Sequence, residues 1–399
     1  MARKRAHYLI LDCETATLPF VKEMEGLLPA ERQKISIAKP LVYDIGWTII
    51  DRQGNFIKKV SYLVQETFFV PNIFNTAYYR EKRPMYMQKL AQNLIKPKLW
   101  NDIIPELLAD CRTCNYVCAY NAMFDFKKAI PFTETYIKHL YSDNYNKWEY
   151  AQRKSVKEIL RNEKEKNPNF DAEHFILREE KFPVVDLWHV ASKELVNKFI
   201  YILACGELPM ISNSGLYFKT SAESVFRYLD EDYTFEEEHT ALADAEIESK
   251  ILLTAFRRNR PIEKGIKPFP FQELGTTYDW LIEAVEHTKG KNKVTQQAIS
   301  NIIDVMETYL QGKQSEKNYT SFGISLYCKK NDLIQLQNRK FGTNREDATP
   351  YYIQMCEIQR KKNAIQNAKD AETREKWKKE LLALENELNR MMFEKEQEN

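Results

Sequence analysis

The chain has 399 residues, 43% hydrophobic and 12% aromatic, which excludes a disordered chain and leaves room for two or three domains. Its 59 Lys and Arg against 57 Asp and Glu give a net charge of +2, so any nucleic-acid contact must come from local basic patches rather than the global field. Seven cysteines, an odd number, argue against a disulfide framework and for a reduced, cytoplasmic setting, and no apolar run nears the ~18 residues of a membrane span.

The first element is "HYLILDCETATLPF", residues 7–20. Tyr8 to Leu11 read as a buried strand that ends on two carboxylates, Asp12 and Glu14. Residues two apart on a strand share a face, so the pair would sit together. Two uncompensated buried anions are expensive, and a cation relieves the cost; carboxylate oxygens suit Mg2+ or Mn2+. Taken alone, Asp-x-Glu is also common in surface loops.

Residues 40–64 read as a β-hairpin around "DRQGN". The stretch "AYYREKRPMY", 77–86, interleaves Tyr78, Tyr79 and Tyr86 with Arg80, Lys82 and Arg83, pairing stacking faces with phosphate-binding cations as a single strand requires. A solvated loop with core tyrosines is the plainer reading. Residues 86–112 have helical spacing with a break at Pro97. "YVCAY" at 116–120 is a strand handing over to a helix at "NAMFDFKKAI", which places Asp125 at the helix start. Residues 141–180 read as a polar helical excursion, and "FPVVDLWHVASKEL" returns to strand and helix. There Asp186 reads as a structural acid. "EEHTALADAEIESKIL" places His239 five residues before Asp244. Five residues turn a helix by ~140°, so the two can meet only if His239 lies in the loop before the helix.

The domain division expected is 1–258 as an α/β layer domain, 259–275 as an aperiodic basic linker, 276–348 as a small helical or α+β domain, and 349–399 as one long helix. "SFGISLYCKK" within the third reads as a short strand. In the last, Trp377, Leu381, Leu384, Leu388 and Met391 form an a/d seam, and from Glu357 onward ten basic residues balance ten acidic ones. A helical hairpin within the chain and a coiled coil with a second copy or a protein partner both remain open. Cys111, Cys114 and Cys118 have a spacing that suits zinc, but no fourth ligand lies nearby, and buried apolar cysteine accounts for them.

Three stretches in order, "DCET" (Asp12, Glu14, Thr15), "NAMFD" (Asn121, Phe124, Asp125) and "HTALADA" (His239, Asp244), resemble the motifs of the DnaQ-like 3′→5′ exonucleases of the DEDDh type over about 250 residues. The nearest likeness is to members carried by phages and mobile elements. The resemblance implies an RNase H-like mixed sheet flanked by helices, followed here by a mainly helical C-terminal region. It further implies two Mg2+ or Mn2+ held by Asp12, Glu14, Asp125 and Asp244, with His239 as general base. Thr15, Ala16, Thr17, Asn121, Phe124, Tyr78, Tyr79, Arg80 and Arg83 are then the candidate substrate contacts, for single-stranded nucleic acid with DNA favoured over RNA. Ala16 and Thr17 stand where relatives often have Thr-Gly, and Tyr120 where many have His, which bears on substrate preference rather than on metal ligation. The rivals are an exoribonuclease of the RNase T or oligoribonuclease kind, a polymerase-associated proofreading subunit, and a non-catalytic binding module. The last should have lost at least one of the four acids.

Overall fold

The structure is a computed structural model; it describes residues 6–161, 173–196, 200–202, 210–266, 274–287, 293–314 and 321–345, and in the C-terminal part 354, 357–358, 361–362, 364–366, 368 and 370–398. Two compact units are present, Met1–Val196 with Thr220–Phe271 and Asn197–Lys219 with Gln272–Asn399. The first therefore differs from the continuous domain expected over 1–258, because Asn197–Lys219 groups with the second.

The first unit is a mixed α/β layer built on a seven-stranded sheet of order β4-β3-β2-β1-β5-β7-β6. β2 (Pro40–Asp51) pairs antiparallel with β1 (His7–Thr17) on one side and with β3 (Phe56–Val64) on the other. β5 (Tyr116–Ala119) lies parallel to β1, and β7 (Glu180–Asp186) parallel to β5. β4 (Lys96–Lys98) pairs with β3 and contains the Pro97 break. β6 (His174–Leu177) pairs with β7 through a turn in which Arg178 and Glu179 both have positive φ, 46° and 74°, the backbone twist a two-residue hairpin favours. β6 falls where a helical excursion was expected, while β7 lies where the sequence predicts a strand.

All twelve residues of β2 are buried, because helices cover both of its faces. Alternate side chains point to opposite sides. On one side Trp47 Nε1 donates to Asp110 Oδ2 at 2.8 Å, on the helix Trp100–Thr113. On the other, Gly46 and Thr48 meet the helix Ala241–Arg257, with Thr48 Oγ1 2.7 Å from Ser249 Oγ. We label the longer helices of this unit α1 (Pro29–Ala38), α2 (Arg83–Ala91), α3 (Trp100–Thr113), α4 (Ile130–Leu140), α5 (Tyr145–Arg161), α6 (Ala222–Asp230) and α7 (Ala241–Arg257).

The expected linker is only partly a linker. Ile262–Ile266 form a helical turn against β7, Ile262 is 4% exposed, and a β-carbon on Gly265 would lie 2.8 Å from Asp186 O. Residues 267–273 lie outside the described part.

In the second unit the helices α8 (Thr277–His287), α9 (Lys293–Gln314) and α10 (Ser321–Phe341) bury Trp280, Ile299, Ile303, Met306, Leu326 and Leu333. The segment 321–330, expected as a strand, is the first half of α10. Its β-branched and aromatic residues were outweighed by an apolar stripe that packs on α9. The C-terminal helix α11 is Ala371–Glu398. It is paired with the preceding segment: Gln354 Nε2 donates to Leu384 O at 3.0 Å, Lys362 Nζ lies 2.9 Å from Glu385 Oε1, and Lys361 pairs with Glu380. The seam residues Trp377, Leu381, Leu384 and Leu388 are thereby half-buried within the chain. Among the described residues no helix is long and apolar enough to cross a membrane.

Candidate metal centre

β1 continues past the two acids to Thr17, so Asp12 and Glu14 lie inside a strand rather than at its end. Asp12 is opposite Gly46 and Glu14 opposite Asp44 on β2, and the pairing slips between Glu14 and Thr15. A bulge of this kind re-aims side chains and is common beside sites. Asp125 opens a π-helical turn, Asp125–Ala129, in the helical stretch that follows β5 and leads into α4. Such turns are frequent at functional sites. Asn121, just before it, takes the left-handed φ of 60°, which Asn tolerates better than most residues.

α7 supplies the third part. Asp244 lies in its first turn and His239 in the loop before it, with Thr240 between loop and helix. One ligand atom from each of Glu14, His239 and Asp244 lies within 4.8 Å of the others. His239 Nδ1 is 3.6 Å from Glu237 Oε2 and 4.0 Å from Asp244 Oδ2. The helix reaches this position because Gly46 has no side chain and because Asp44 Oδ2 accepts the Ala241 amide at 3.0 Å.

Asp12 and Asp125 fall outside that three-residue group but inside the same field. The charge of Asp12 raises the pKa of Glu14, Asp125 and Asp244. Burial is the larger cause at each of them. Asp244 is pushed up to about 9, and Asp12, by burial and then by Asp44, to about 7. Glu14 and Asp125 stand well above the ordinary carboxylate range, the latter despite a hydrogen bond from the Cys13 thiol. Mutual repulsion of this kind is what a cation would relieve.

A second mark of fit is unmet bonding capacity. Asp44 Oδ1, Asp125 Oδ1 and Asp244 Oδ1 are buried with no hydrogen-bond partner, on residues 0%, 2% and 8% exposed. Buried carboxylate oxygens without donors are rare, and oxygen-ligand cations satisfy them.

Three acids here were not foreseen from the sequence. Asp44 is fully buried and joins the cluster from β2. Glu237 is pushed up to about 8 by burial and by Glu223 and Asp12. Glu248, one turn past Asp244 and 2% exposed, accepts the Tyr120 amide at 3.1 Å. Each had a signal: Asp44 interrupts the apolar run "LVYDIGW", Glu237 sits two residues before His239, and Glu248 falls at i+4 from Asp244.

The candidate substrate contacts are divided. Tyr78 is 81% exposed, and Arg80 is exposed beside it. Tyr79 is half-buried and stacks on His239. Arg83 lies over the Phe74 ring at 5.4 Å. Asn121 and Phe124 are partly exposed next to Asp125, and Thr15 is partly exposed at the bulge. Ala16 and Thr17 are buried, and the Thr17 hydroxyl donates to Lys39 O at 2.9 Å, which ties it to the fold. Tyr120 packs on Trp188, and its hydroxyl donates to Thr220 O at 2.5 Å. Asp186 caps a helical turn by accepting the Trp188 amide at 2.9 Å, a structural role. Cys111 and Cys118 are buried, Cys114 is partly so, and no cysteine cluster with metal-ligand geometry occurs among the described residues.

Compared with models of protein families, with characterised proteins and with solved structures, the chain has no match.

Proposed function

We propose that the first unit is a metal-dependent 3′→5′ exonuclease of the DEDDh type on an RNase H-like fold, acting on single-stranded DNA ends. The observation that carries the reading is the convergence of acids from three distant stretches, Asp12 and Glu14, Asp125, and Asp244, beside His239, with buried carboxylate oxygens left unpaired. A sheet with three antiparallel strands followed by two parallel ones supports the same fold reading.

Asp12, Glu14, Asp125 and Asp244 would hold the cations. Bound there, Mg2+ or Mn2+ would acidify a water and neutralise charge on the phosphodiester. The chain's own contribution is to present these oxygens on rigid elements and to place a base beside them. Burial, and then Lys82, lower the His239 pKa below its ordinary value. The shift favours the neutral ring, the form that can accept a proton from the attacking water. Tyr78 offers an open aromatic face to a base, and Arg80 a cation to the backbone.

The test is incubation with 5′- and 3′-labelled single- and double-stranded DNA and RNA in Mg2+, Mn2+ or EDTA, alongside Asp12→Ala. Mononucleotide release from the 3′ end of single-stranded DNA, dependent on metal and on Asp12, is expected. Release from RNA alone assigns the exoribonuclease alternative. Degradation that survives EDTA or the substitution overturns the reading.

A further inference from the structure

His239 sits in an unusual place for its backbone. Its φ of 56° is left-handed, a setting a non-glycine residue keeps only when its surroundings impose it. Opposite the acids, the groups that hold it come from one face of one segment. Tyr79, Lys82, Tyr86 and Lys89 are spaced by 3, 4 and 3 residues along the turn Arg80–Lys82 and α2, so they form a single stripe.

Each member of the stripe grips the loop. The Tyr79 ring stacks on the imidazole with centroids 4.2 Å apart and planes 14° apart. Lys82 Nζ donates to Glu238 O at 2.7 Å, and Lys89 pairs with the Glu238 carboxylate. The Tyr86 hydroxyl lies 3.2 Å from His239 O and 2.9 Å from Asp44 Oδ2. Asp44 in turn accepts the Ala241 amide at 3.0 Å, so residues 238, 239 and 241 are all held.

We propose that Tyr79 and Tyr86 are positioning residues that, with Lys82 and Lys89, latch the Glu238–His239 loop and fix the imidazole beside Glu14 and Asp244. This rests on the reading of His239 as the general base. A flat ring against the imidazole restricts its rotation, and the Tyr86 hydroxyl ties the loop carbonyl to β2 through Asp44. The stacked face of Tyr79 is then committed to His239, which leaves Tyr78 as the aromatic open to a substrate base.

The test uses the full chain and three variants: Tyr79→Ala, Tyr79→Phe and Tyr86→Phe. A misplaced base costs ~10–100-fold in rate without weakening substrate binding. Tyr79→Ala is therefore expected to lower kcat by ~10–100-fold with KM within about three-fold, and Tyr79→Phe to restore it. Tyr86→Phe, which keeps the buried ring, is expected to lower kcat in the same manner. Hydrogen–deuterium exchange across residues 236–241 should rise in Tyr79→Ala and Tyr86→Phe but not in Tyr79→Phe. A Tyr79→Ala enzyme with raised KM and unchanged kcat overturns the proposal and makes Tyr79 a substrate contact. Unchanged exchange in both Tyr79→Ala and Tyr86→Phe overturns it as well. Should the wild type lack nuclease activity, the general-base reading fails, and the exchange result alone then decides whether the latch exists.

Discussion

Gly46 faces Leu242 so closely that a β-carbon on it would sit 2.3 Å from the Leu242 amide nitrogen. The contact sets how near α7, and with it Asp244, can come to Asp12 on the neighbouring strand. Substitution by alanine must push the helix away, since backbone cannot yield as a side-chain tip can. Gly46→Ala should destabilise the fold by ~1–3 kcal/mol and weaken Mn2+ binding along with it. Chemical denaturation and calorimetric titration read the two effects. A variant with wild-type stability and wild-type Mn2+ affinity contradicts the role assigned to this approach.

The raised carboxylates give a signed pH dependence. Asp44 stands at about 6, Asp12 at about 7, Glu237 at about 8 and Asp244 at about 9. Unfolded carboxylates titrate near ~4, so between those limits the folded chain holds protons that the unfolded chain has released. Their contribution to stability is complete below ~4 and is lost as the pH rises through the folded values. In EDTA the Tm should fall from pH ~6 to ~9, and saturating Mn2+ should reduce that fall by binding the ionised cluster. A Tm that rises over this range, or that Mn2+ does not move at its upper end, contradicts the assignment.

Glu248 separates charge from hydrogen bonding. Burial and the charges of Asp12, Asp125 and Asp244 hold it well above the ordinary range, while it accepts the Tyr120 amide. Glu248→Gln keeps an acceptor and cannot ionise, so its Tm in EDTA at high pH should exceed the wild type's. Glu248→Ala removes that hydrogen bond and should cost ~1–3 kcal/mol. Thermal scans of the two variants check the order, and equal losses in both would contradict it.

His239 lies within reach of both Glu14 and Asp244, so its role as base must be told apart from ligation. His239→Ala should lower turnover by ~10²–10⁴ while Mn2+ affinity changes little. Loss of Mn2+ affinity with the activity would make the imidazole a ligand instead.

The elements that carry the candidate site could be read in the sequence because its acids sit in local contexts that constrain them. Asp12 and Glu14 follow the apolar run Tyr8–Leu11, Asp125 follows the strand 116–119, and His239 precedes a helix that does begin at Ala241. Less legible was what depends on partners far along the chain. The latch stripe was visible only as interleaved tyrosines and cations, since its target lies far along the chain, with His239 153 residues after Tyr86. Asp44 was hidden by its apolar neighbours, and its partners Tyr86 and Ala241 come from other elements. Strand β6 was concealed by the charged surroundings of His174–Leu177, and the start of α10 by the β-prone composition of residues 321–330. Asn197–Lys219 could not be assigned to the second unit from local pattern, because its partners, such as Trp280 and Met306, lie beyond residue 276.

Calorimetric titration of the apo-protein with Mn2+, repeated for Asp12→Ala, Glu14→Ala and Asp244→Ala, asks whether acids from separate stretches form one cation site. Saturable binding that each substitution weakens by ten-fold or more is the expected result. Binding absent from the wild type, or equally tight in all three variants, would show that these carboxylates do not hold a metal together.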